Sequence, residues 1–403
     1  MGDHSGRFDV MEDQDLQHLP TPCALVDLER VERNCRAMAA TARRLGVRLR
    51  PHVKTHKCIE AGRLQRADAP GIAVSTLAEA RHFAAAGFRD ITYAVPIAPE
   101  RLPEAVEIGR GIDRLSVLVD GAVAVAAAER AAVAAGVRVS VFLKVDCGYG
   151  RAGVDPESPA AFALARRLAA SPQLDFRGLL THGGHSYGSR SVAESRQAAA
   201  QEAAAPVAFA EALRREGVEV PEVSVGSTPT CTALAGEVED GADTVGGPGA
   251  PWEGVTEIRP GNYIFFDVHQ AAVGSCRLSD VAFSVLVTVI SHHSERNRLL
   301  VNAGSLALSA DPGPRHIDPH CGFGVVADLT GEPIAGLRLS SLSQEHGWVE
   351  AVSGDGAALA AFPVGIRLRI LPNHSCLAAA LHDRYHVLRQ GRLVAEWRPV
   401  RGW

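Results

Sequence analysis

No cysteine in this chain is followed three positions later by another. The eight cysteines, at 23, 35, 58, 147, 231, 276, 321 and 376, are scattered. That spacing excludes a C-x-x-C redox or zinc-ribbon motif, and a chain of 403 residues does not need disulfide staples. Most of the thiols are expected to be buried and free, with Cys376 set apart below. Blocks of like charge are also missing. The 41 Lys and Arg against 46 Asp and Glu leave a net charge of −5, with no footprint for nucleic acid or an anionic membrane. No apolar run approaches the roughly 18 residues of a membrane helix. The opening "MGDHSGRFDVMEDQDLQHLP" is polar and acidic, unlike a signal peptide. Gly6 stands where a myristoylation motif places Ser or Thr. These absences predict a cytoplasmic protein without nucleic-acid or membrane partners. Internal repeats and extended low-complexity tracts are absent too.

What is present is length for two domains and a regular alternation of elements. Short β-rich runs occur at 47–53, 71–76, 90–96, 114–120, 138–146, 176–182, 221–227 and 256–266. Ala- and Arg-rich helical stretches separate most of them, which argues for a parallel sheet. Eight such strands over about 220 residues suit a (β/α)8 barrel of the TIM type. After about residue 270 the runs become β-rich with little helix, ending in "YHVLRQGRLVAEW", where "RQGR" (389–392) predicts a hairpin turn. The expected class is therefore α/β, with a barrel over 31–270 and a mostly antiparallel β domain over 271–403. The run "PCALVDL" (22–28) is left over at the front. The Gly/Pro segment 246–254 reads as a surface insertion or a lid.

The chemistry begins at "RPHVKTHK" (50–57). As a strand, 47–53 would point Val47, Leu49 and Pro51 one way and Arg48, Arg50, His52 and Lys54 the other. Lys54 then lies at the C-terminal end of the first barrel strand, where active sites of this fold sit. A partly desolvated lysine beside other cations there is a usable nucleophile or base. A solvated basic turn is the other reading. Strand seven runs into "GSTPT" (226–230) and strand eight into "RPGNY" (259–263), the two positions where barrels often bind phosphate. Gly226, Ser227, Thr228, Gly261, Asn262 and Tyr263 offer N–H groups and hydroxyls there. A lysine facing a phosphate site across a barrel mouth suggests pyridoxal phosphate, which needs both.

Three further motifs stand out. "KVDCGYGRAGV" (144–154) contains G-x-G-x-x-G, but "DPESP" follows instead of a helix, so a nicotinamide-binding reading rests on the glycines alone. In the other reading, Arg151 reaches an anionic cofactor oxygen. "THGGHSYG" (181–188) supplies His182, His185 and Tyr187, at least one of them structural. In "LPNHSC" (371–376), an extended backbone would turn His374 and Cys376 to one side as half of a zinc site, the alternative being a core histidine and a buried thiol. Glu345 and His346 of "SQEHG" are candidates for a further ligand or its partner.

Taken in order, "TPCALVDLERVERN", "RPHVKTHK", "KVDCGYGRAGV", "THGGHSY", "GSTPT", "EIRPGNY", "SQEHG" and "LPNHSC" resemble the D-serine dehydratase-like and D-threonine aldolase family. These are pyridoxal-phosphate enzymes of the alanine racemase-like fold (fold type III). The resemblance runs from about residue 20 to the C-terminus. It implies a homodimer, with residues 1–30 adding the first strand of the β domain. It further implies that Lys54 is the Schiff-base lysine and that Arg151, His182 and Tyr187 line the cofactor. Ser227, Thr228, Gly261, Asn262 and Tyr263 would hold the phosphate, and His374 and Cys376 the metal. The His-x-Cys pair is similar to the zinc site of the eukaryotic-type dehydratases; Mn2+ or Mg2+ is the alternative ion. The implied reaction removes water from D-serine or a related small D-3-hydroxy amino acid, giving a 2-oxo acid and ammonia. Cleavage of Cα–Cβ to glycine and an aldehyde is the alternative outcome. A pyridoxal-phosphate carrier protein of the same barrel class is the non-catalytic alternative, which the β domain and its His-x-Cys argue against.

Overall fold

The computed structural model describes residues 16–66, 69–235 and 252–403. They form two compact units that divide between Gly261 and Asn262. One consists of Arg36–Gly261 with Val400–Trp403, the other of the chain up to Cys35 with Asn262–Pro399.

The first unit carries eight parallel strands: Arg48–Leu49, Ile72–Val74, Asp90–Pro96, Arg114–Val119, Val139–Lys144, Leu174–Leu180, Glu222–Val225 and Glu257–Ile258. Strand eight pairs with strands seven and one, and the remaining neighbours pair in sequence order. A parallel bridge between His52 and Ala73, with Ala73 N–H donating to Pro51 O at 2.9 Å, joins strand one to strand two. The eight strands thus close as the expected barrel. The helices that cover them begin at side chains that accept backbone N–H groups: Thr76 before Leu77–Ala85, Ser158 before Pro159–Ala170 and Ser191 before Val192–Arg215. Gly136, at φ 65°, ends the Ala-rich helix Ala122–Ala135.

The reading of 47–53 as one strand, with Lys54 continuing its alternation, needs correcting. Strand one is only two residues long, and Lys54 sits on a 3-10 turn, Val53–Thr55. The His52 ring accepts the Lys54 N–H at 3.4 Å and so caps that turn. A side-chain hydrogen bond thus ends the extended backbone before the alternation reaches Lys54.

The second unit is built on a nine-stranded, mostly antiparallel sheet. Its long central strand, Phe283–His293, pairs with Cys23–Asp27, Arg298–Val301 and Arg367–Pro372. The leftover front strand therefore lies in this sheet, parallel to Tyr385–Arg389. Tyr385–Arg389 and Arg392–Trp397 form the expected hairpin. Positive φ at both Gln390 (50°) and Gly391 (76°) matches the twist of a two-residue turn. Phe265, Phe283 and Tyr385 meet at 5.4–6.0 Å between ring centroids in the interior. No described helix is long and apolar enough to cross a membrane. Of the Gly/Pro segment 246–254, residues 246–251 lie outside the described residues, as does most of the acidic leader.

Candidate active site

The C-terminal ends of the barrel strands surround a cavity of about 310 Å³. Seven residues expected at a cofactor line it: Lys54, Arg151, His182, Tyr187, Ser227, Thr228 and Gly261. His185 does not; it packs beside Tyr149, with ring centroids 6.2 Å apart. Asn262 and Tyr263 belong to the other unit. There the Asn262 amide donates to Asp267 Oδ2 at 2.7 Å and to Ser375 Oγ at 3.0 Å, and lies 3.6 Å from Cys376 Sγ.

Two further cations line the cavity that the motif reading passed over, Lys144 and Arg259. Each stands at or just past the end of a barrel strand, and that position is the signal that could have found them. Burial pushes the Lys144 ammonium down to about 7, helped by the charge of Arg259. Burial also lowers Arg259, to about 10. Its guanidinium donates to Ser224 Oγ and to the carbonyl oxygen of Thr181. His52 and His182 are both held well below the ordinary imidazole range, first by desolvation and next by Lys54. Both are therefore neutral near pH 7. Among the described residues, no carboxylate lines this cavity. Four cationic side chains with hydroxyls from Ser75, Ser227 and Thr228 make a site for an anion.

The loops that present these groups are tightly constrained. A Cβ on Gly261 would stand 2.8 Å from His52 O. Gly226 has φ +107°, open to glycine but strained for other residues. Its N–H donates to Glu202 Oε1 at 3.0 Å, and the Ser227 N–H to Thr230 Oγ1 at 2.9 Å. Both amides thus point into the protein. Ser227 and Thr228 line the cavity with these amides turned away, contrary to the expectation that the Gly226 N–H would face an anion. In the Gly-rich loop, Gly148, Gly150 and Gly153 all have positive φ, and Asp146 accepts the N–H groups of Gly148 and Gly150. No helix starts until Pro159, so this is no dinucleotide fingerprint.

In the β unit, the strand before the H-x-C motif ends at Pro372, and Ser375–Ala380 is a short helix with His374 at its N-cap. The strand alternation invoked for His374 and Cys376 is therefore replaced by a helix start. The two side chains still interact. Although burial opposes it, hydrogen bonds donated to Asp311 and Cys376 hold the His374 imidazole well above its ordinary range. Asp311 Oδ2 lies 3.3 Å from His374 Nδ1. Glu345 and His346 are exposed on the turn between strands Leu337–Leu342 and Gly347–Ala351. Among the described residues, no group of three or more His, Cys, Asp or Glu side chains forms a metal cluster. None of the eight cysteines forms a disulfide; five are buried, and Cys376 is among the three that are partly exposed.

Residues 26–267 match the family described as "Alanine racemase, N-terminal domain", and residues 282–388 the "Putative serine dehydratase domain". The chain belongs to this alanine racemase-like serine dehydratase family. D-threo-3-hydroxyaspartate dehydratase from Delftia sp. is 40% identical, over 96% of this chain and 98% of its own. Its solved structure covers 97% of this chain and 100% of its own at a TM-score of 0.88. A cysteine-to-alanine mutant of a D-threo-3-hydroxyaspartate dehydratase, solved in a metal-free form, is 38% identical and covers 97% of this chain and 100% of its own at a TM-score of 0.89. D-serine dehydratase from Dictyostelium discoideum is 36% identical over 96% of this chain and 98% of its own. D-threonine aldolase from Arthrobacter sp. is 32% identical over 95% of this chain and 92% of its own.

Proposed function

We propose that the chain is a pyridoxal-phosphate-dependent lyase that removes water from a small D-3-hydroxy amino acid, giving a 2-oxo acid and ammonia. D-serine and D-threo-3-hydroxyaspartate are the first substrates to try. The observation that carries this reading is the barrel-mouth cavity, where Lys54 shares a wall of cations and hydroxyls with the loop after strand seven. That donor set fits a phosphorylated aldehyde: a primary amine for the carbonyl carbon, and positive charge with hydroxyls for the phosphate.

Lys54 would hold the cofactor through Nζ. Ser227, Thr228 and Gly261 would receive its phosphate; assigning Asn262 and Tyr263 to it rests on the family resemblance alone. Arg151 and Arg259 would bring positive charge to the cofactor, and His182 and Tyr187 line the same cavity. Bound there, pyridoxal phosphate supplies an electron sink for the charge left at Cα. Lys54 Nζ takes the Cα proton, and its fixed position on the Val53–Thr55 turn restricts attack to one face of the substrate. Lys144, lowered to about 7, is poised to exchange a proton at neutral pH. His374 and Cys376 would hold a divalent ion, with Asp311 orienting the imidazole. An imidazole and a thiolate suit zinc, and two protein ligands leave coordination positions open. Such an ion supplies Lewis acidity to the departing hydroxyl.

A cytoplasmic homodimer is part of the same reading. Exposed Leu306, Leu377 and Leu381 in the β unit offer apolar surface for a second copy. Light scattering of the purified protein tests the assembly.

The decisive assay offers D-serine, D-threo-3-hydroxyaspartate and D-threonine and measures 2-oxo acid against glycine. The dehydratase reading expects 2-oxo acid and ammonia. Glycine and aldehyde alone would establish the second reading, a D-3-hydroxy amino acid aldolase, which the similarity to D-threonine aldolase favours. Bound cofactor without turnover of any of the three would leave a carrier protein.

A further inference from the structure

A buried carboxylate outside the cavity ties together the loops that shape it. Glu202 lies in the middle of the helix Val192–Arg215, within the buried stripe that includes Ala198, Ala199, Pro206 and Phe209. It is 0% exposed. An ionised side chain on such a stripe is costly unless it is fully hydrogen bonded. Here Oε1 accepts the N–H of Gly183, at 2.5 Å, and of Gly226, at 3.0 Å. Oε2 accepts the Thr230 hydroxyl at 2.8 Å. One carboxylate therefore holds the loop after strand six, the loop after strand seven and the first turn of the helix Thr228–Ala235. The network continues outward: Thr230 Oγ1 lies 3.0 Å from Ser227 Oγ, which lies 2.8 Å from Ser186 Oγ. The fit is close, since a Cβ on Gly183 would stand 2.8 Å from Glu202 Cδ.

We propose that Glu202 is the positioning residue of the phosphate subsite: by holding the Gly226 N–H and the Thr230 hydroxyl behind the loop, it fixes the segment whose Ser227 and Thr228 line the cavity. This rests on the pyridoxal-phosphate reading and names the element that would make the site select the phosphorylated cofactor. A carboxylate is suited to the task because it accepts from three donors on two oxygens. Glutamine retains one acceptor oxygen for the two glycine N–H groups but meets the Thr230 hydroxyl with an N–H. Alanine removes the acceptor of both glycine N–H groups and leaves the Thr230 hydroxyl to Ser227.

The test is titration of full-length apo-protein, stripped with hydroxylamine, by pyridoxal phosphate and separately by pyridoxal, followed by absorbance. Wild type is expected to bind the phosphorylated form far more tightly. Glu202→Ala should weaken pyridoxal phosphate roughly 10- to 100-fold, the range seen when groups that orient a ligand shell are lost. Pyridoxal affinity should stay within about threefold, because Lys54 and the ring contacts are untouched. Glu202→Gln and Thr230→Val should fall between wild type and Glu202→Ala, and they carry the test if the alanine variant does not fold. Unchanged pyridoxal phosphate affinity, or equal loss of both ligands in the folded variants, overturns the role of Glu202 and leaves the cofactor reading standing. Wild type that binds neither ligand overturns both.

Discussion

At the N-terminal end of the barrel, Arg50 meets Asp90 and Glu257, each at 2.8 Å. Asp90 also pairs with Arg114, and Glu222 with Arg48 and Arg177. At the C-terminal end, Lys54, Lys144, Arg151 and Arg259 share a cavity with no carboxylate among its described lining residues. The two ends have similar side chains and opposite pairing. Arg48, Asp90, Arg114, Glu222 and Glu257 each open their strand, so short strands place them in one ring where opposite charges meet. Although burial opposes it, Arg50 keeps both Asp90 and Glu257 below the usual carboxylate range. Paired charge there braces the fold. Cations gathered without carboxylates at the other end make a place for an anion and for chemistry.

That contrast can be broken by substitution at either end. The largest effect is expected from Lys54→Ala, which should lower 2-oxo acid formation by about 10³-fold or more and abolish the visible absorbance of bound cofactor. Its melting temperature should stay near that of wild type, since the amine belongs to the chemical end. In the β unit, Cys376→Ala should release bound metal, read by elemental analysis, and reduce turnover by roughly 10²-fold while cofactor absorbance persists. Chelation of the wild type should have the same effect, reversed by added zinc.

At the paired end the sign of the outcome reverses. Glu257→Gln deprives the fully buried Arg50 of one of its two anions and should cost about 3 kcal/mol in denaturant unfolding. The folded fraction should keep its KM. A larger change in KM than in stability would mean that the ring serves the active site. The smallest effect is expected from Lys144→Met in the apo-protein. The folded state holds this lysine at about 7, below its unfolded value, so its burial penalty is complete below pH 7 and fades as pH rises toward the unfolded value. The variant should therefore gain stability, most at pH 6 and progressively less by pH 9, measured by urea unfolding at each pH. A gain that stays constant between pH 6 and pH 9 would show that Lys144 is cationic across this range.

Much of this was legible because local chemistry repeats. The eight β-rich runs became the eight barrel strands, shortened most where proline and side-chain caps intervene, at "RPHV" and "EIRPG". "RQGR" turned as its glycine predicts. Seven of the expected cofactor residues came together because each follows a strand end, and parallel strands bring all such ends to one face. Lys144 and Arg259 shared that signal and were overlooked beside louder motifs. Glu202 gave no local sign beyond being a charge in an apolar helical stripe, since its three partners come from segments 19 to 28 residues away. The alternation argument placed Lys54 and Cys376 on strands, whereas the His52 cap put Lys54 on a 3-10 turn and a strand ending at Pro372 left Cys376 in a short helix.

By itself, then, the order of strands, turns and reactive side chains followed from the sequence, because hydrophobic period, glycine and proline act over a few residues. Which charges are neutralised and which are left to a ligand was decided only in the tertiary structure. Pairing, desolvation and the aim of an N–H depend on neighbours that barrel closure brings together from distant parts of the chain.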